Sequence, residues 1–188
     1  RLPELHLIPA AQTRDKNALS PSDMVRLCDE LRPECDWILV DSPAGIERGF
    51  RNAIAPANKV LIVTNPEVSA VRDADRIIGL IEAEEKGPGY LVVNRIKPEL
   101  VRRGDMLAID DILELLAIEL IGVVPEDDKV VMSTNRGVPI TMNGKSQAGQ
   151  AFRDIARRLS GEDVPIVDLQ DQSGFWGRLS RVFRPGGS

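Results

Sequence analysis

The stretch Trp37-Ile38-Leu39-Val40-Asp41-Ser42-Pro43-Ala44-Gly45-Ile46-Glu47 decides how this chain is read. Four apolar residues run into an aspartate, and a turn-forming Ser-Pro-Ala-Gly follows at once. An apolar run without polar alternation is the pattern of a strand covered on both faces, hence of a parallel sheet. In open parallel sheets, ligands bind outside the carboxyl ends of the strands, where Asp41 is expected to sit. Two roles fit it there. It can hold Mg²⁺ through a water beside a phosphate, or it can cap the next short helix. Gly45 follows, and its backbone N–H can approach a terminal phosphate because no Cβ intrudes.

Working outward, apolar runs of the same kind recur at Leu5–Ile8, Val60–Val63, Tyr90–Val93 and Ile118–Val124. Helical patterns lie between them. Ser20-Pro21-Ser22-Asp23 signals a helix start ahead of Met24–Leu31. Ser69–Glu85 is a longer amphipathic pattern with Val71, Ile77, Ile78 and Ile81 as its apolar positions, and Asp110–Leu116 and Ala148–Leu159 are two more. Strand-helix alternation predicts right-handed βαβ units and an α/β layered fold. The expected organisation is a domain over residues 1–166, a polar linker over 167–173 and a separate tail over 174–188.

Composition narrows the classes. The 188 residues are 43% hydrophobic and 28% charged, with a net charge of −5. That is an ordinary globular balance, and its sign disfavours general binding to a nucleic-acid backbone. No run of 18 or more apolar residues is present, so no span of a membrane is predicted. Cys28 and Cys35 fit neither a redox pair nor a zinc pattern and read as reduced thiols in a cytoplasmic protein. His6 is the only histidine, which removes histidine triads and multi-histidine metal sites. Gly144-Lys145-Ser146 tempts as a phosphate loop. The required Gly lies five residues upstream of the second Gly, and Pro139 is there instead. Ser146 reads as the N-cap of Ala148–Leu159.

Several motifs are similar to one family: PAAQTRDKNALSPSDM, DSPAGIE, TNPEVSAVRDADRI, RRGDMLAIDDILELL and GVVPEDDKVVMSTNRGVPI. Together they resemble the MinD/ParA family of deviant Walker-A ATPases, and its septum-site-determining MinD branch in particular. The resemblance covers essentially the whole chain. It implies a P-loop NTPase-like, mostly parallel sheet with flanking helices, with ATP and Mg²⁺ as cofactors. The family's KGGxGKT loop does not occur in this sequence. Its strand, loop and helix are expected to precede Arg1, so the chain looks like the C-terminal two-thirds of such a protein and is expected to be inactive alone. The resemblance makes Asp41 the Walker-B carboxylate on Mg²⁺ and Gly45 the switch glycine at the γ-phosphate. It places Asn94 and the loop Pro125-Glu126-Asp127 on the adenine side. Arg72, Asp73 and Asp75 fall where the family meets MinC- and MinE-like proteins, and dimerisation with ATP is implied.

The tail carries its own signal. On a helix turning about 100° per residue, Phe175, Trp176, Leu179, Val182 and Phe183 fall within an arc of about 120°. Arg178, Arg181 and Arg184 lie outside that arc. These three arginines leave the rest of the chain at −8 against −5 overall. A basic helix with Trp and Phe on one face reads as a segment lying in a membrane interface. The expected location is therefore cytoplasmic and peripheral, on the inner face of the plasma membrane. The function this favours is an ATP-dependent membrane-cycling ATPase of division-site placement that recruits a septation inhibitor. A chromosome- or plasmid-partition ATPase and a non-enzymatic membrane scaffold are the alternatives; no nucleic-acid partner is expected.

Overall fold

A computed structural model describes residues 5–9, 19–43, 45–46 and 48–167. The chain divides into two compact units, residues 1–58 and 59–188.

In the first unit, helix α1 (Pro21–Leu31) starts as its sequence demands. The Ser20 hydroxyl accepts from the Asp23 amide at 3.2 Å, and the Asp23 carboxylate accepts from the Ser20 amide at 3.0 Å. Two otherwise orphaned donors are thereby satisfied, and Pro21 has no donor to lose in the first turn. Helix α2 (Arg48–Ile54) packs against α1, burying Cys28, Phe50, Ala53 and Ile54. The Asn52 side-chain amide donates to the Leu19 carbonyl at 2.9 Å. Both cysteines are free thiols.

Two expected strands do not form. Leu5–Ile8 and Trp37–Val40 have no regular secondary structure, and Leu5, Leu7, Ile8 and Leu39 are exposed. A parallel strand forms only where neighbours complete its ladder and layers cover its faces. The described residues of the first unit supply two helices and no strand.

The second unit has what the first lacks. Strands β1 (Val60–Thr64), β2 (Gly89–Ile96) and β3 (Glu119–Pro125) form a parallel sheet in the order 1-2-3. Helix α3 (Val68–Ala83) crosses from β1 to β2 and packs on β1; α4 (Pro98–Arg103) and α5 (Ile109–Leu116) lead from β2 to β3. Helix α6 (Asp128–Asn135), a 3-10 turn (Ile140–Met142) and α7 (Gln147–Leu159) follow. Leu91, Val93 and Ile112 are fully buried. Val92, Ile121, Val124, Ala148 and Ile155 form a core beneath α7. A Cβ on Gly122 would lie 2.2 Å from Ile155, so the absent side chain is what lets α7 seat on β3.

α2, α4 and α6 were not expected from the periodicity. α4 carries the usual punctuation, Pro98 at its first position and Gly104 in the left-handed region at its end. Six residues are too few for a period to show.

Candidate functional site

Asp41 ends an irregular segment and is exposed. It stands seven residues before Arg48, the first residue of α2. An N-cap immediately precedes the first helical residue, so the capping role is removed. Gly45 has φ +93°, which favours glycine, and open space surrounds the position of a Cβ. Pro43 seats against the start of α2, because a Cβ on Gly49 would lie 2.6 Å from its ring. Pro43, Gly45 and Gly49 thus shape the backbone that follows Asp41.

A second set of residues gathers at the carboxyl ends of β2 and β3. The ladder between these strands is irregular from Val93 to Ile96, which sets Asn94 and Arg95 out of register. Asn94 is half-buried there, and Arg95 has φ 60°. The Arg95 guanidinium grips Glu126 with two bonds, Nε to Oε2 at 3.0 Å and Nη2 to Oε1 at 3.3 Å. The Glu126 amide donates to the Ile96 carbonyl at 3.0 Å. The Arg95 hydrogen bond holds the Glu126 carboxyl below the usual glutamate range.

Asp127 joins two helix starts. Its Oδ1 accepts from the Lys129 amide at 2.9 Å, capping α6, and its Oδ2 accepts from the Ser146 hydroxyl at 2.7 Å. Ser146 in turn accepts from the Gly149 amide at 2.9 Å and caps α7. Burial pushes the Asp127 carboxyl up, but the Ser146 hydroxyl and the Lys129 amide outweigh it and hold it low. Gly144-Lys145-Ser146 is therefore the entry to α7. The carboxylates of Glu126 and Asp127 serve the loop itself.

Arg72, Asp73 and Asp75 are all exposed on the outer side of α3, whose buried positions are Val71, Ala74, Ile78 and Ile81. Arg158 carried no signal in the sequence, since an arginine on an amphipathic helix reads as solvent-facing. It donates to the carbonyls of Ile121 at 2.8 Å, Val164 at 2.7 Å and Pro165 at 2.7 Å, tying the segment after α7 to β3. The residues from 168 on, including Phe175, Trp176, Arg178, Leu179, Arg181, Val182 and Phe183, lie outside the described residues. Among the described residues no cluster of three or more His, Cys, Asp or Glu could hold a metal, and no helix is long and apolar enough to cross a membrane.

No protein-family model matches the chain. It is 54% identical over 170 residues to the septum site-determining protein MinD of Synechocystis sp., covering 90% of this chain and 64% of that one. It is 48% identical over 181 residues to the MinD of Bacillus subtilis, covering 95% of this chain and 68% of that one. The chain belongs to the MinD family. It spans about two-thirds of the length of these relatives. Among solved structures, MinD in the MinC:MinD cell division protein complex of Aquifex aeolicus superposes with TM-score 0.76 at 50% identity, over 79% of this chain and 62% of that one. MinD of Pyrococcus horikoshii, complexed with Mg-ADP, shares the fold with TM-score 0.65 at 24% identity, over 74% and 56% of the two chains. The α/β architecture with a parallel sheet is thus that of the MinD family.

Proposed function

We propose that the chain is the greater part of an ATP hydrolase that places the division septum by cycling on and off the membrane. The observation that carries this is identity of 48–54% to septum site-determining proteins across nine-tenths or more of the chain. In this reading ATP drives homodimerisation, two tails together grip the anionic inner face of the plasma membrane, and hydrolysis releases them. Pairing two weak tails multiplies their hold without a new contact. A MinC-like septation inhibitor and a MinE-like activator meet the outer side of α3 at Arg72, Asp73 and Asp75. The Aquifex relative is itself seen with MinC.

Asp41 and Gly45 fit Mg²⁺ and a terminal phosphate. Asp41 is a single exposed carboxylate, which suits a cation shared with phosphate oxygens better than one caged by protein alone. The open space at Gly45 admits a phosphate close to the backbone. Bound Mg²⁺ would neutralise charge on the transferring phosphoryl group. Asp41 would orient the water held between carboxylate and cation. Asn94 would present its amide, both donor and acceptor, to adenine, and Pro125-Glu126-Asp127 would border the base as a loop held shut by Arg95 and Ser146. The linker and tail, residues 167–173 and 174–188, would carry membrane binding through the apolar arc Phe175, Trp176, Leu179, Val182 and Phe183, with Arg178 and Arg181 toward lipid headgroups.

The test is a chimera that places the N-terminal third of the Aquifex relative ahead of Arg1. This chimera should hydrolyse Mg·ATP, the chain alone should not, and Asp41→Ala should abolish the activity. A variant within about threefold of the parent, ~0.7 kcal/mol in barrier, would remove Asp41 from the chemistry.

A further inference from the structure

The run from Lys129 to Arg153 is the longest in the sequence without an aspartate or glutamate, in a chain whose net charge is −5. It carries Lys129, Arg136, Lys145 and Arg153. Folded, it forms α6, the 3-10 turn and most of α7. Five of its large apolar residues stay in solvent, Phe152 least of them; Val131 is 63% exposed, Met132 50%, Val138 49% and Met142 63%. Exposed apolar residues scattered singly are ordinary, but a group of them is a sign of an interaction surface.

The segments that carry these residues are brought together. The Val138 amide donates to the Ser133 carbonyl at 3.1 Å, folding the end of α6 back on itself, and α6 packs on the 3-10 turn. The Lys129 ammonium donates to the Lys145 carbonyl at 2.9 Å, bringing the start of the run to the entry of α7. The acidic groups nearby are mostly spoken for. Asp127 caps α6 and binds Ser146; Asp154 is buried and accepts from Gln150 at 2.9 Å. Asp128 alone is exposed, just before the run.

We propose that this surface is a second contact with an anionic lipid bilayer, additional to the tail. The proposal rests on the reading of the tail as a membrane segment. Two observations favour lipid over a protein partner. The rim is cationic where the chain as a whole is acidic, which complements anionic headgroups. The last described residues also lie beside this surface. Ile166 and Val167, the last described residues, share a cavity of about 110 Å³ with Pro125, Gln147 and Gln150. Gln147 stands two residues after Lys145 and starts α7. Unbranched methionines adapt to a disordered apolar phase at little cost.

The test uses the full chain and vesicles of equal parts phosphatidylcholine and phosphatidylglycerol at low salt. The double variant Met132→Glu, Met142→Glu should lose on the order of tenfold in vesicle affinity, since it removes apolar contact and adds repulsion. Lys145→Gln should lose about fivefold, which corresponds to ~1 kcal/mol for one cation near an anionic surface. Each position is exposed, so unchanged thermal unfolding should accompany the loss. A second readout places one indole at position 142 by Met142→Trp with Trp37→Phe and Trp176→Phe. Lipids brominated in their upper acyl chains should quench it. Unchanged affinity in the double variant, or an indole that stays unquenched while the protein is bound, overturns the proposal and leaves the tail reading standing. Failure of the unmodified chain to sediment with these vesicles overturns the tail reading, and this proposal with it.

Discussion

Residues 60–64 and residues 37–41 are built from nearly the same side chains. Val-Leu-Ile-Val-Thr is β1, hydrogen-bonded along its length to β2. Trp-Ile-Leu-Val-Asp is irregular, and its Leu39 is 82% exposed. Local preference cannot separate them, since both are rich in β-branched and large apolar residues. What differs is the surroundings. β1 has a ladder on one side and α3 on one face, and Ile62 and Thr64 are buried as a result. Even so, Leu61 and Val63 on its opposite face stay exposed. Strand formation is therefore set by partner and cover, in steps: β2, paired on both sides, buries Leu91, Val92 and Val93, β1, paired on one side, is half-covered, and residues 37–41, which join no ladder among the described residues, are irregular.

The sharpest way to break this contrast is to truncate one leucine in each region. Leu91, at 0% exposure in β2, should cost about 2–5 kcal/mol as Leu91→Ala. Leu39→Ala should change stability by no more than about 0.5 kcal/mol. Urea unfolding followed by circular dichroism measures both. A Leu39→Ala loss approaching that of Leu91→Ala would mean that residues 37–41 are paired and covered in solution. A smaller contrast concerns two glycines. Gly122→Ala forces a Cβ into Ile155 and should cost about 1–3 kcal/mol. Gly45→Ala meets nothing, so only its left-handed φ is charged, about 1–2 kcal/mol. Adding Ile155→Val should rescue Gly122→Ala in part and leave Gly45→Ala untouched.

Much of this was readable in the sequence, and the divide follows the same physics. α1, α3, α5 and α7 carry caps or amphipathic periods longer than two turns, and three of the five apolar runs became strands within three residues of their expected limits. Leu5–Ile8 and Trp37–Val40 failed because a strand's partners are not written in the strand. At the candidate site, Asp41, Gly45, Asn94 and Pro125-Glu126-Asp127 stood out as residue types. What each side chain does was partly hidden. The Arg95 grip on Glu126 depends on a ladder irregularity that places both at one strand end, and the Asp127–Ser146 bond spans nineteen residues. Arg158 was missed outright, since nothing in an amphipathic period marks an arginine that ties down three carbonyls.

Two serine caps extend the comparison between the units. Ser20 closes a local capping box on α1, while Ser146 caps α7 and also satisfies Asp127. Loss of a serine cap costs about 0.5–2 kcal/mol. Ser20→Ala should sit at the low end, because Pro21 and Asp23 still favour the helix start. Ser146→Ala should sit at the high end, because it also strips a partner from a part-buried carboxylate. Equal losses in urea unfolding would show that the bond between the two helix starts adds nothing to the cap.

The smallest effect is electrostatic and confined to acid. Glu126 in the second unit and Asp23 in the first both have carboxyls held below their ordinary values, 4.5 and 3.8. For Glu126 the leading cause is the Arg95 hydrogen bond, and for Asp23 it is the Ser20 hydroxyl. A group whose value falls on folding stabilises the fold when it is charged. That contribution is complete above the ordinary value and disappears as pH falls through the lower, folded one. Arg95 stays charged throughout, so the carboxylate alone sets the window, just below 4.5 for Glu126. The Glu126 amide, which donates to Ile96, reports on it locally. Its hydrogen exchange in Glu126→Gln should be faster than in the parent near pH ~6, and the two should converge well below the ordinary glutamate value. High salt should narrow the difference, since the pair is largely exposed. Asp23→Asn should leave this amide unchanged at every pH, because its effect belongs to α1. Exchange that is identical in parent and Glu126→Gln at neutral pH would mean that the backbone bond to Ile96 closes this strand end without help from Arg95.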